Sequence, residues 1–250
     1  MLKIFSCLKG VRSRHINLFL LFSVLYLSLI IPGVVSAQEA VDIPDPGLRA
    51  AIAEALGKTP GDTITRAEME TLVQLWADLR NITDLRGIEF AINLTDLHLA
   101  INDVSDISPL SPLTNLIRLT LDFNAISDIS PLSPLTNLIR LDLNFNDVSD
   151  ISPLSPLTNL TQLYVWNNAI SDISPLSPLI NLKTLNLESN AISDISPLIA
   201  HANLERLWIS TNAISDITPL SNLANLTQLY LFNNAISDIS PLSPLINLKT

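Results

Sequence analysis

The chain has 250 residues, 24 acidic against 14 basic, for a formal net charge of −10, with 48% hydrophobic residues and one cysteine. Such acidity excludes nucleic acid and anionic membrane surfaces as partners, because both repel it. A single cysteine excludes an intrachain disulfide, and the apolar residues recur at fixed positions of a repeat rather than in membrane-length runs.

Residues 1–37 read as a secretory signal peptide. Lys3, Lys9, Arg12 and Arg14 precede an apolar run from Leu18 to Ile31, Pro32-Gly33 ends it, and Val35-Ser36-Ala37 offers a small-residue cleavage site. The rival reading is an uncleaved anchor, but the run is short against the ~20 residues that a span takes. Cleavage after Ala37 removes four bases and no acid, leaving ten bases against 24 acids, a charge of −14. It also removes Cys7, so stability outside the cell must come from packing.

Residues 38–71 are predicted to form a helical N-terminal cap. Asp45-Pro46 opens a helix with Leu48, Ile52, Ala55 and Leu56 on one face, and Gly57 closes it. Thr65-Arg66-Ala67-Glu68 has the form of a capping box that starts a second short helix.

From residue 72 to residue 250 the chain repeats with a period of 22. Asn102, Asn124, Asn146, Asn168, Asn190, Asn212 and Asn234 stand at that interval. The unit from Leu116 places Leu119, Leu121, Asn124, Ile126, Ile129, Leu132 and Leu135 in the pattern LxxLxLxxNxIxxIxxLxxL, and a degenerate copy starts at Leu72. This spacing predicts a leucine-rich repeat horseshoe, an α/β solenoid, with one degenerate unit, seven regular units and an eighth that begins at Leu248 and is cut off at Thr250. The truncation suggests a fragment of a longer protein or a truncated gene product.

In each unit the xLxLx segment alternates as a half-buried strand, so stacked units make a concave parallel sheet. Each asparagine is expected to bond backbone groups of its own turn and of the next unit. Ser-Pro-Leu starts a short 3-10 or irregular return on the convex side, its serine hydroxyl able to cap.

With Asn-x-Ile-Ser-Asp-Ile-Ser-Pro-Leu at the centre of units such as Leu160–Asn181 and Leu226–Asn247, residues 72–250 resemble the 22-residue repeats of bacterial internalins. The resemblance implies a secreted or surface-attached protein that binds other proteins through its concave face.

Nothing in the repeats suggests an enzyme or a cofactor. His98 faces outward, His201 lies on a convex return, and no glycine follows Gly87, so phosphate loops and nucleophile elbows have no place there. Asp106, Asp128, Asp150, Asp172, Asp194, Asp216 and Asp238 stack along one flank. One carboxylate per unit is a thin shell for calcium, so they are assigned to turn geometry and no metal site is expected. The glycosylation sequons at Asn81, Asn93, Asn159 and Asn225 fall out of the repeat consensus.

Function is expected where aromatic residues point outward from a core that leucine already fills. Trp76, Tyr164, Trp166, Trp208, Tyr230 and Phe232 hold outward strand positions, while Phe123 and Phe145 lie at strand exits. With Arg118, Arg140 and Arg206 nearby, they form the expected protein-binding face. A glycan is the weaker alternative partner. The competing readings of the whole are a passive spacer in a larger surface protein, or the targeting arm of an enzyme whose catalytic domain follows Thr250.

Overall fold

The computed structural model describes residues 39–249, so the predicted signal peptide lies outside the described residues. Eight three-residue strands follow one another: β1 (Gln74–Trp76), β2 (Asp96–His98), β3 (Arg118–Thr120), β4 (Arg140–Asp142), β5 (Gln162–Tyr164), β6 (Thr184–Asn186), β7 (Arg206–Trp208) and β8 (Gln228–Tyr230). They form a single parallel sheet in chain order. Each strand pairs with the same position one unit away, as Leu75 with Leu97 and Leu97 with Leu119. An open parallel sheet in this order, built from units of one length, is the leucine-rich repeat solenoid.

The apolar positions of the pattern are sealed. In the unit from Leu116, each of Leu116, Leu119, Leu121, Ile126, Ile129, Leu132 and Leu135 is at most 1% exposed. The degenerate unit contributes Leu72, Leu75, Ala77, Ile82 and Leu85 to the same core.

The returns are 3-10 turns such as Ser108–Leu110 and Ser130–Leu132, lengthened to Ser196–Ala200 and Thr218–Asn222 in two units. No serine hydroxyl caps them, contrary to expectation, because the serine is already the first residue of the turn. The aspartate two residues earlier takes that role. Asp106, Asp128, Asp150, Asp172, Asp194, Asp216 and Asp238 each accept the backbone N–H two residues on at 2.8 Å.

Ahead of the sheet lie α1 (Pro46–Ala55) and α2 (Arg66–Met69). Asp45 caps α1 by accepting the Leu48 N–H at 2.9 Å and also accepts the Thr83 N–H at 2.9 Å, tying the helix to the first return. Against the upward pull of burial, the N–H groups of Thr83, Leu48, Asp84 and Gly47 hold the Asp45 carboxyl below its usual range. The buried face of α1 is Leu48, Ala51, Ile52 and Ala53, and the expected member Ala55 is exposed. A Cβ at Gly47 would collide with the Arg80 carbonyl oxygen, so the close seat of α1 on the first unit requires glycine there. Thr65 and Glu68 complete the capping box of α2.

One feature of the strand exits runs against residue preference. Leu79, Ile101, Phe123, Phe145, Asn167, Ser189, Thr211 and Asn233 all sit in the left-handed region, with φ between 53° and 58°. For residues with a Cβ this conformation costs about 1–2 kcal/mol each. The next unit enforces it: the N–H of Phe123 donates to the Asn144 carbonyl, and that of Phe145 to the Trp166 carbonyl, both at 2.8 Å.

Candidate recognition surface

Because the units stack in register, outward side chains form rows across the sheet. One row reads Trp76, His98, Thr120, Asp142, Tyr164, Asn186, Trp208 and Tyr230. Its neighbour toward the strand start carries Arg118, Arg140 and Arg206, and its neighbour toward the strand exit carries Trp166 and Phe232.

The expected binding residues do not form one patch. At the first strands Trp76, 61% exposed, stacks on His98 with centroids 3.7 Å apart. Burial under that ring holds the His98 imidazole below its ordinary value, against the nearby carboxylates of Asp78, Asp96 and Asp142. Arg118 pairs with buried Asp96 on the preceding strand, whereas Arg140 pairs within its own strand, Nε to Asp142 at 2.9 Å. Trp76, His98, Asp96, Arg118 and Arg140, with Gln74 and Thr120, line a hollow of about 260 Å³.

In the middle of the sheet the Arg140 guanidinium lies 5.1 Å from the centre of the Tyr164 ring. Trp166 turns toward the strand exits and meets Phe145 edge-on at 4.6 Å. At the far end Trp208 and Tyr230 stack with centroids 6.0 Å apart, and Tyr230 and Phe232 are 47% and 56% exposed. Arg206 donates from Nε to the Thr184 hydroxyl at 3.1 Å. Aromatic groups therefore lie on both sides of a polar centre at Asn186 and Glu188, with Thr184 buried beneath Arg206.

The asparagine ladder lies beneath this surface. Asn146 Oδ1 accepts the Ile126 N–H at 3.0 Å, and its Nδ2 donates to the carbonyls of Leu121, Leu143 and Asn144 at 3.0–3.2 Å. Ile126 and Leu121 belong to the preceding unit. The ladder reaches backward, not into the next unit as expected, since the preceding turn is what presents free groups to the amide. Arg80 stands at the ladder position of the degenerate unit, and its side chain pairs with Glu54 of α1 at 2.6 Å.

A second ladder was missed in the sequence. Asn93 donates to the Glu70 carbonyl of the cap, and Asn115, Asn137, Asn159, Asn181, Asn203, Asn225 and Asn247 each donate to a backbone carbonyl of the preceding unit, all at 2.7–3.0 Å. Its signal was present as a period of 22, and three of its members are the sequon asparagines. A third, partial row has Asp78, Asp122 and Asn144 accepting N–H groups one unit on, at 2.7–2.9 Å. Burial pushes the Asp122 carboxyl up to about 6, against the Asn144 N–H that it accepts.

Among the described residues no group of three or more His, Cys, Asp or Glu side chains is arranged to hold a metal ion. The flank aspartates are engaged in their turns, where N–H groups such as that of Ser130 hold Asp128 below the usual carboxylate range. Millimolar calcium is therefore expected to leave the melting temperature unchanged, since a ligand of the native state would raise it by mass action. A saturable rise, lost in Asp150→Ala with Asp172→Ala, would reverse the assignment.

A family model described as leucine-rich repeats (2 copies) matches residues 92–134, 136–178, 158–200, 180–222 and 202–244. Among solved structures, internalin C2 of Listeria monocytogenes aligns with a TM-score of 0.80 at 38% identity, over 82% of this chain and 91% of that one. A second internalin of that organism, inlF, aligns at 0.63 with 34% identity, over 83% and 74%. A leucine-rich repeat protein of Leptospira interrogans aligns at 0.63 with 25% identity, over 67% and 44%. No curated protein matches the sequence significantly.

Proposed function

Because the chain belongs to the leucine-rich repeat family, in its internalin-like form, we propose that it is a secreted or surface-exposed module that recognises a protein through its concave face. Proteins of this kind mediate protein–protein interaction, and the N-terminal signal pattern and the internalin likeness support an extracellular site. The observation that carries the concave-face reading is the outward placement of Trp76 and Trp208 over a core that apolar side chains already close, with Tyr230 and Phe232 beside them on the last strand. Large rings beside arginines, with polar groups between, supply the area and oriented bonds of an interface centre. Arg118, Arg140 and Arg206 are its polar anchors, and Tyr164 and Trp166 join its two halves.

The stacked pair tests this reading. A partner captured from candidate cell surfaces by cross-linking is expected to lose at least about 2 kcal/mol of affinity to Trp208→Ala with Tyr230→Ala. Stability should change by less, because both rings lie outside the core. Undiminished binding of the captured partner would leave the spacer reading in its place.

A further inference from the structure

The left-handed residues at the strand exits divide the molecule in two. The first four units hold Leu79, Ile101, Phe123 and Phe145 there, and the following four hold Asn167, Ser189, Thr211 and Asn233. Asparagine adopts this conformation readily, whereas bulky and β-branched residues do so under strain. Leu79, Ile101 and Phe123 are also 68%, 49% and 47% exposed. Strain and exposure both oppose these side chains, and neither is offset by core packing. Phe123 stacks on Phe145 at 4.1 Å, and Phe145 meets Trp166. An apolar line of Leu79, Ile101, Phe123 and Phe145, one residue per unit, thus runs across the strands along the solenoid axis, and Trp166 on the adjoining row extends it to a fifth unit.

We propose that this ridge docks a basic amphipathic α-helix lying along the solenoid axis. Spacing selects a helix. Parallel strands stand ~4.8 Å apart, so five ridge positions span about 19 Å. Four helical turns cover about 22 Å and offer an apolar residue to one stripe at each turn. Same-face side chains of an extended strand fall about 6.7 Å apart and overrun the ridge by about 8 Å over the same count. Charge selects the flanks of that helix. Asp103 and Asp147, two residues beyond Ile101 and Phe145, are exposed, and Asp78 and Asp122, one residue before Leu79 and Phe123, are half-buried. Arg118 and Arg140 on the adjoining sheet are already paired with Asp96 and Asp142. Carboxylates on both sides of an apolar line complement a helix with an apolar stripe between lysines or arginines. The ridge shares Trp166 with the concave-face reading but lies apart from the Trp208–Tyr230 cluster, and the variants at Leu79, Ile101 and Phe123 leave both intact, so the two readings are tested separately.

The probe is a labelled lysine–leucine peptide of about 18 residues, five helical turns, with its leucines on one stripe. Fluorescence anisotropy should show saturable binding to the protein. A peptide of the same composition with scattered leucines, and a stripe peptide with glutamate for lysine, should each bind at least about tenfold more weakly. Ile101→Asn with Phe123→Asn installs the residue that other units carry at this position. It should weaken binding about tenfold while leaving the melting temperature equal or higher, because asparagine relieves the strain. If that variant melts lower, Leu79→Asn at the most exposed position carries the same test. Equal binding of the scattered peptide, undiminished binding by a folded ridge variant, or preference for phosphatidylglycerol vesicles over the stripe peptide would each overturn the proposal.

Discussion

Asn146→Ala is expected to lower the unfolding free energy by about 3–5 kcal/mol, because each buried backbone group left unpaired costs about 1–3 kcal/mol. The amide serves one N–H and three carbonyls, and alanine replaces none of those bonds. The residue is 7% exposed, so water cannot take its place without opening the turn. Asn144→Ala should cost less but not nothing, since Asn144 Oδ1 accepts the Trp166 N–H at 2.9 Å. Exposed Ser149 is the appropriate control, and its alanine variant should stay within about 0.5 kcal/mol of the wild type. Denaturant titration of the three variants checks the order. Equal losses for Asn146→Ala and Ser149→Ala would remove the ladder from the folding argument.

His201→Leu is expected to raise stability by about 2 kcal/mol at neutral pH and to abolish a weakness in mild acid. His201 stands where other units have Leu113, Leu135, Leu157, Leu179, Leu223 and Leu245, and it is 0% exposed. Its Nε2 donates to the Leu176 carbonyl at 3.1 Å, which leaves Nδ1 an acceptor without a partner. The Leu176 carbonyl also accepts the Leu179 N–H at 2.8 Å, so it stays satisfied after the change.

Burial holds the imidazole below its ordinary 6.5, against the carbonyls of Leu176, Leu198 and Pro197. Above that pH both folded and unfolded chains are neutral at this site. Below it the unfolded chain takes up a proton that the native state refuses, and stability falls by up to about 1.4 kcal/mol per pH unit. Asp122 acts with the opposite sign: its native pKa of about 6 lies above the usual 3.8, so protonation favours the fold as the pH falls between those values. Both proteins carry Asp122, so the gap between wild type and His201→Leu isolates the histidine. That gap should widen from about pH 7 to pH 5. A gap of constant size would mean that His201 exchanges protons as freely in the fold as out of it.

The core was legible because a solenoid repeats its decisions. Each Leu of the unit from Leu116 recurs one period on, Ile129 returns as Ile151 and Ile126 as Val148, and the structure buries the whole set. His201 was legible too, as the one departure from a leucine column among the regular units, yet reading it as part of a convex return hid its burial. Other features depend on geometry that spacing does not carry. A turn asparagine can reach either neighbour, and only the stacking register decides that Asn146 reaches back to Leu121. Phe, Leu and Ile at positive φ contradict their own preferences, so no local signal announced the ridge. Arg118 and Arg140 occupy equivalent positions, yet one pairs across the sheet and the other within its strand, a difference set by where the nearest buried carboxylate lies.

Backward-reaching amides also bear on how such an array changes over generations. At the seams between regular units the ladder joins the same donors to the same acceptors, so unequal recombination that adds or removes one 22-residue block leaves the ladder unbroken. Outward residues travel with their block. The distance between the Trp76 and Trp208 clusters can therefore shift in steps of one strand spacing, ~4.8 Å, without any redesign of the interior. Copy number thus becomes a ruler for fitting one scaffold to partners of different length.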